Sequence, residues 1–177
     1  MSMIYVSGQA TGNPSPAGYA FRVKQGHLIL RERQQTLTSG NALSATLIGV
    51  RDALQGLTQG DPYTIVMTNH ALSVDLLNKS SVARSPAIHA LVTEIQVLTA
   101  QHGLNPEYVH LLPETDPDLD EIIRLSEDSA RLAWRTANSP ACPRCGDMMT
   151  IHHSRGGKLW KCSTDTCSGT LRLYSSP

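Results

Sequence analysis

All four cysteines of this chain lie in one short C-terminal stretch. They form two close pairs, Cys142-x2-Cys145 and Cys162-x4-Cys167, with sixteen residues between the pairs. Pairs at this separation suit a single tetrahedral Zn²⁺ bound by four thiolates, a structural ion. No other feature constrains the fold as strongly. A segment of this size has little apolar core of its own, so the metal supplies much of its folding energy. The Cys-Pro-x-Cys-Gly run predicts a tight knuckle whose amides point at sulfur. A disulfide reading is disfavoured for a cytoplasmic chain. His152 and His153 stand nearby, but four cysteines already close the site, and both are read as exposed hairpin residues.

With 177 residues, the chain can bury one sizeable core besides this small module. Fifteen Lys and Arg balance fifteen Asp and Glu, so net charge does not announce a polyanionic partner. The charge is unevenly placed. The segment from Glu107 to Asp128 is acidic, with Arg124 its only strong base, whereas Arg144, Arg155, Lys158, Lys161 and Arg172 face only Asp147 and Asp165 after Ala141. No apolar run is long enough to span a bilayer and no basic-plus-apolar leader stands at the N-terminus. A cytoplasmic location and no membrane partner are therefore expected.

Periodicity predicts strands over Met3–Val6, Gly18–Lys24, His27–Gln34, Tyr63–Thr68 and Glu107–Leu112. Helices are predicted over Ala42–Leu57, capped by Ser39 or Asn41, over Ala71–Leu77, from Pro86 to Gly103, and over Pro117–Trp134. The expected order is β-β-β-α-β-α-α-β-α. It argues an α/β fold with a mixed five-stranded sheet and helices on both faces, followed by a small β zinc ribbon. The domain boundaries read as 1–136, a linker over 137–141, and the ribbon over 142–177.

One turn carries more information than the rest. After the first strand the chain reads Ser7-Gly8, then Gly12-Asn13-Pro14, Pro16 and Gly18-Tyr19. With the element order, this resembles ribonuclease HI and the wider RNase H-like superfamily over roughly 1–136. The resemblance implies four carboxylates holding two Mg²⁺ ions that orient a water against a phosphodiester. Matched motif by motif, those positions fall on Ser7, Leu43, Asn69 (in Thr68-Asn69-His70) and Ala130 (in Ala130-Arg131-Leu132-Ala133). None can supply the negative charge that two divalent ions require. Asp128, two residues from the last position, would be a single carboxylate even after a register slip. The mobile histidine of the family has no clear match, and His70 is read as a polar residue at a strand-to-helix turn.

A cleft without carboxylates no longer repels phosphates, so it can receive a nucleic-acid backbone without a metal. The resemblance makes Asn13 and Asn41 candidate hydrogen-bond donors to sugar or phosphate. Arg22 with Lys24, and Arg31 with Arg33, are each spaced by two, so each pair leaves one face of its strand. An aligned hairpin register would put all four cations on one surface. The acids at 116, 118 and 120 have superficial calcium-loop spacing but lack its glycine and distal glutamate. They are read as the first turn of the last helix, where acids favour the dipole.

The ribbon has a resemblance of its own. Cys-Pro-x-Cys-Gly-x-x-Met, then Arg-Gly-Gly-Lys-Leu-Trp-x-Cys-Ser, then Cys-x-Gly-Thr resembles the C-terminal zinc ribbons of bacterial type IA topoisomerases, which implies single-stranded DNA binding. Lys158, Trp160 and Lys161, with Arg144 and Arg155, are then candidate contacts, since an aromatic among cations suits base stacking and phosphate binding. Trp160 can equally cover the ribbon's small core. The reading as a whole is a non-catalytic protein that binds single-stranded DNA or an RNA–DNA hybrid. Two alternatives stand beside it. One is an atypical metal-dependent RNase H. The other is an adaptor that binds a protein partner, through its acidic surface over 107–128, and uses the ribbon for DNA contact.

Overall fold

In the computed structural model, described over residues 1–13, 15–57, 63–154 and 157–172, the chain divides into two compact units, Met1–Trp134 and Arg135–Pro177. The first is organised around β1 (Ser2–Ala10), which pairs antiparallel with β2 (Ser15–Gln25) on one side and parallel with β4 (Thr64–Thr68) on the other. β3 (Leu28–Gly40) and β5 (Glu107–His110) complete the order β3-β2-β1-β4-β5. The helices are α1 (Ala42–Gln55), α2 (Ala71–Leu77), α3 (Pro86–Gln101) and α4 (Pro117–Asn138). Residues 137 and 138, read from sequence as linker, therefore belong to the last helix. Among the described residues, no helix is long and apolar enough to cross a membrane.

The alternation of β1 sends side chains to two cores. Ile4, Val6, Tyr19 and Phe21 pack with Leu47, Val50 and Leu54 of α1 and Ile95 of α3, all essentially inaccessible to solvent. Tyr5 and Ala20 pack on the opposite face with Leu119 and Ile122 of α4. The buried stripe of α4 continues through Ser126, Ser129, Ala130 and Ala133. Leu132 is half exposed, because it lies one position off that helical spacing.

β1, β2 and β3 are all longer than their apolar runs. The ladder continues from Ser7↔Ala20 to Ala10↔Ala17, so Gly8 is inside a strand and not at a turn. It is glycine because α1 passes directly over it. A Cβ there would lie 2.2 Å from the Thr46 amide nitrogen and 2.6 Å from the Ala45 carbonyl carbon. Gly18 does the same on the other face, where a Cβ would meet the Ala130 nitrogen at 2.5 Å.

Polar groups fasten both ends of α1. Asn41 caps it, accepting from the Ser44 amide at 2.8 Å, while the Ser44 hydroxyl accepts from the Asn41 amide at 2.9 Å, a reciprocal capping box. At the C-terminal end, Arg31 of β3 donates to the carbonyls of Asp52 and Ala53 and stacks 4.7 Å from the Phe21 ring. It thereby satisfies helix-end acceptors that would otherwise need water. Gly56 leaves the guanidinium its space, since a Cβ there would fall 1.2 Å from Arg31 Nη1.

These close approaches set an expectation for urea unfolding. Gly18→Ala should cost about 3 kcal/mol or more, because the added methyl meets α4 backbone that cannot yield as a flexible side chain would. Gly26→Ala, at φ +59 in the β2–β3 turn with nothing within 4 Å, should cost only the left-handed backbone penalty of about 1–2 kcal/mol. Equal losses would contradict the packing argument.

Candidate functional site

Of the four positions matched to metal-binding carboxylates, Ser7 of β1 and Asn69 just after β4 lie on neighbouring strands. Ser7 is fully buried, and Ser126 of α4 hydrogen-bonds it at 3.0 Å while also donating to the Ile123 carbonyl at 2.7 Å. Asn69 follows Thr68 as Ser7 follows Val6, and Val6 and Thr68 are the last pair of the parallel ladder, so β4 ends beside Ser7 while β1 runs on to Ala10. Its Oδ1 is shielded from solvent and has no hydrogen-bond partner among the described residues. Leu43 packs against the larger core, and Ala130 is buried against Gly18. Ser126 is the residue that sequence matching missed: it, rather than Ala130 one turn on, directly opposes Ser7. Its spacing of seven from Leu119 was the available signal.

The nearby acids are each engaged elsewhere. Asp116 caps α4, accepting from the amides of Asp118 (2.9 Å) and Leu119 (3.2 Å), and Pro117 follows it as the first helical residue. Asp118 pairs with Arg22 at 2.7 Å and with Lys24. Partial burial opposes its ionisation, but those two cations outweigh that cost and hold its carboxyl below the usual range. Asp120 accepts from the Glu114 amide at 2.8 Å, and Glu121 binds Arg124 at 2.6 Å. Asp128 sits on the exposed face of α4 with Arg124 and Arg131. His70 caps α2, its Nδ1 accepting from the Ser73 amide at 3.3 Å.

Asn13 and Asn41 are brought together, Asn41 Nδ2 donating to Asn13 Oδ1 at 3.4 Å. The four hairpin cations are not. Arg22 lies opposite Glu32, whereas Arg31 lies opposite Val23 and Arg33 opposite Phe21. Cross-strand partners share a face, so Arg31 and Arg33 point towards α1, and Arg22 and Lys24 towards α4. The expectation of one four-cation surface is therefore corrected. The register is offset by one from the arrangement that would align the pairs, and one residue flips every side chain. Arg22, Lys24 and Arg31 are further tied up by ion pairs and helix carbonyls, which leaves Arg33 exposed.

The second unit is a three-stranded antiparallel sheet, β6 (Met149–Ser154), β7 (Gly157–Cys162) and β8 (Thr170–Arg172), in that order. Its four cysteine Sγ atoms all lie within 4.8 Å of one another. Cys142 and Cys167 are 3.7 Å apart, and Cys145 and Cys162 3.5 Å. A tetrahedron of about 2.3 Å metal–sulfur bonds has sulfur–sulfur edges of about 3.8 Å, whereas a disulfide needs about 2.05 Å. The donor set thus fits one tetrathiolate-bound ion. Backbone amides of Arg144 and Cys145 point at the Cys142 sulfur and lower its pKa to about 7. Gly146 takes φ +81 in the knuckle, and a Cβ at Gly169 would fall 2.2 Å from Cys142 Sγ.

Trp160 is half-buried and covers the small core of Cys142, Met149 and Cys162. Lys158 is exposed on the same face of β7, whereas Lys161 leaves the opposite face with its cross-strand partners Thr150 and Thr170. Arg144 is exposed and donates to Ser168 Oγ at 2.6 Å. Arg155 lies outside the described residues. His152 and His153 are exposed and stand apart from the sulfur cluster.

Solved structures resemble this fold closely. The N-terminal RNase H domain of rv2228c from Mycobacterium tuberculosis, as a fusion protein with maltose-binding protein, aligns with TM-score 0.66 and 24% identity over 77% of this chain and 97% of that one. LC11-RNase H1, in its complex with an RNA/DNA hybrid, aligns with TM-score 0.65 and 22% identity over 74% and 99%. RNase H1 from the halophilic archaeon Halobacterium salinarum NRC-1 aligns with TM-score 0.63 and 16% identity over 73% and 97%. The chain has an RNase H-like fold, extended by a small sheet that bears a four-cysteine cluster. No family model and no curated protein matches its sequence.

Two measurements test this geometry. Metal analysis should find about one ion per chain, with loss of most of it in Cys162→Ser and in Gly169→Ala, while the far-UV signal of the α/β unit persists. In an NMR titration, His70 should gain its second proton below the ordinary histidine value of 6.5, because burial and then the charge of His110 disfavour the cation. The folded state then binds fewer protons than the unfolded chain, so this residue's contribution to stability is complete above that value and declines as pH falls through it.

Proposed function

We propose that the protein binds nucleic acid without cleaving it, the RNase H-like domain receiving a duplex or RNA–DNA hybrid and the ribbon holding single-stranded DNA. The observation that carries this reading is the neutral strand end: Ser7, Leu43, Asn69 and Ala130 where two-metal chemistry needs carboxylates, with Ser126 closing over Ser7. Among the described residues, the only group of three or more His, Cys, Asp or Glu ligands placed to share an ion is the cysteine cluster. That cluster holds a structural Zn²⁺. One of the similar structures is an RNase H1 bound to an RNA/DNA hybrid, and the neutral cleft keeps the surface for such a ligand while losing its charge repulsion. Asn13 and Asn41, joined at 3.4 Å, offer amides to the backbone there.

The ribbon is of the type IA topoisomerase kind. Lys158, Lys161 and Arg144 contact phosphates, together with Arg155, while the exposed part of Trp160 stacks a base at the edge of the metal core. Of the hairpin cations, Arg33 is the one left for a ligand. The boundaries of the two binding modules are 1–136 and 142–177, and together they suit a junction of single- and double-stranded nucleic acid.

The test is incubation of the zinc-loaded protein with end-labelled RNA–DNA hybrid and single strands in Mg²⁺ or Mn²⁺, followed by a gel shift. Intact substrate, retained by the protein, is the expected result. Metal-dependent cleavage that survives rigorous repurification would overturn the reading. Each cation removed from the ribbon, Lys158→Ala or Lys161→Ala, should also flatten the dependence of log affinity for single strands on log salt by about 0.7.

A further inference from the structure

A cleft of about 420 Å³ opens in the RNase H-like unit between the start of α1, helix α2 and the segment leading into α3. Its walls are aliphatic: Leu43, Leu72, Leu76, Val82 and Ile88. Leu72 and Val82 keep 44% and 83% of their surface exposed, although both could be buried by any ligand seated there. One charged residue lines the cleft, Arg84. It is exposed, and no carboxylate pairs with it among the described residues. Arg22, Arg51, Arg124 and Arg131 of the same unit are ion-paired, whereas Arg33, like Arg84, is exposed with no carboxylate pairing it among the described residues.

The cleft includes Leu43, the position at which the RNase H resemblance expects a glutamate. A carboxylate there would put negative charge into the wall and neutralise Arg84. Leucine instead extends the apolar wall and leaves Arg84 as the single charge. We propose that this cleft docks a short peptide segment of a partner protein in which an apolar side chain stands beside a carboxylate. The side chain is buried against the leucines, Val82 and Ile88. The carboxylate takes the planar fork of Arg84, and the hydroxyls of Ser81 and Ser85 are in the lining to meet the peptide backbone. A nucleobase fits less well. No aromatic wall offers stacking.

The inference goes beyond nucleic-acid binding, although the cleft shares Asn41 and Leu43 with the proposed nucleic-acid site, and its test uses no polynucleotide. The ¹⁵N-labelled full chain is titrated with N-acetyl-leucyl-leucine, with the corresponding amide, and with adenosine monophosphate. Saturable shifts should be confined to residues around 41–43, 72–76 and 81–88, with the free acid binding about fivefold tighter than the amide. Arg84→Gln, a surface change, should erase the preference for the acid, and Leu43→Glu should weaken binding of the acid most. Equal binding of acid and amide, or absence of saturable shifts in the cleft, would overturn the proposal. A larger response to the nucleotide at the same residues would overturn it too, by identifying a nucleotide pocket. Should Leu43→Glu fail to fold, Arg84→Gln alone decides the matter.

Discussion

Contact between backbone and backbone, with no side chain between, sets the geometry of the RNase H-like unit. At Gly8 the sheet meets the first turns of α1, and at Gly18, on the other face, it meets α4. The two glycines sit one register step apart in the β1–β2 ladder, where Gly8 pairs with Tyr19 and Gln9 with Gly18. Helices on opposite faces are thus drawn in to nearly the same point of the sheet. That point is also where the strand ends converge, so the approach of α1 and α4 decides which side chains line the cleft. The glycines serve the fold whatever chemistry the strand end carries.

Charge in this unit is spent on holding elements together. Asp118 binds two cations from β2 and so fastens the first turn of α4 to the sheet. Arg31 serves α1 from β3, and Tyr19 hydrogen-bonds Asp52 across the core, with burial first and that carboxylate next holding its phenol well above the ordinary range. Such pairs bring little net energy when exposed, but these are partly buried, where the loss of one partner leaves the other costly to keep. The consequence for the cleft is indirect. Few charges remain free near it, and the field a ligand meets is set by amides, hydroxyls and one unpaired arginine.

Much of this was legible in the chain. The element order, the Asn41 cap, the short α2 and the cysteine knuckles all follow from local signals that tertiary contacts reinforce. The ends of β1, β2 and β3 were not, because the residues that extend them are small or polar. β3 in particular is exposed along nearly its whole length and shows no alternation to read. The placement of the hairpin cations depended on the register of that same strand, with an irregularity between Val23 and Lys24, and no single-strand pattern encodes a register. In the cleft, only the motif match of Ser7, Leu43, Asn69 and Ala130 to the acid positions that the resemblance expects was legible. The opposition of Ser126 to Ser7 was not, since it rests on how α4 lies over the sheet, which the packing at Gly18 settles. The role of Arg31 at the end of α1 and the apolar cleft beside Leu43 are likewise properties of packing between elements distant in sequence.

The Ser7–Ser126 contact also limits what the seam between β1 and α4 tolerates. A carboxylate placed at Ser7 alone would stand fully buried, facing the Ser126 hydroxyl, and would either lose its charge or strain that seam. The hydroxyl pair thus acts as a filter on charge: an acid is accepted at this depth only when a cation arrives with it.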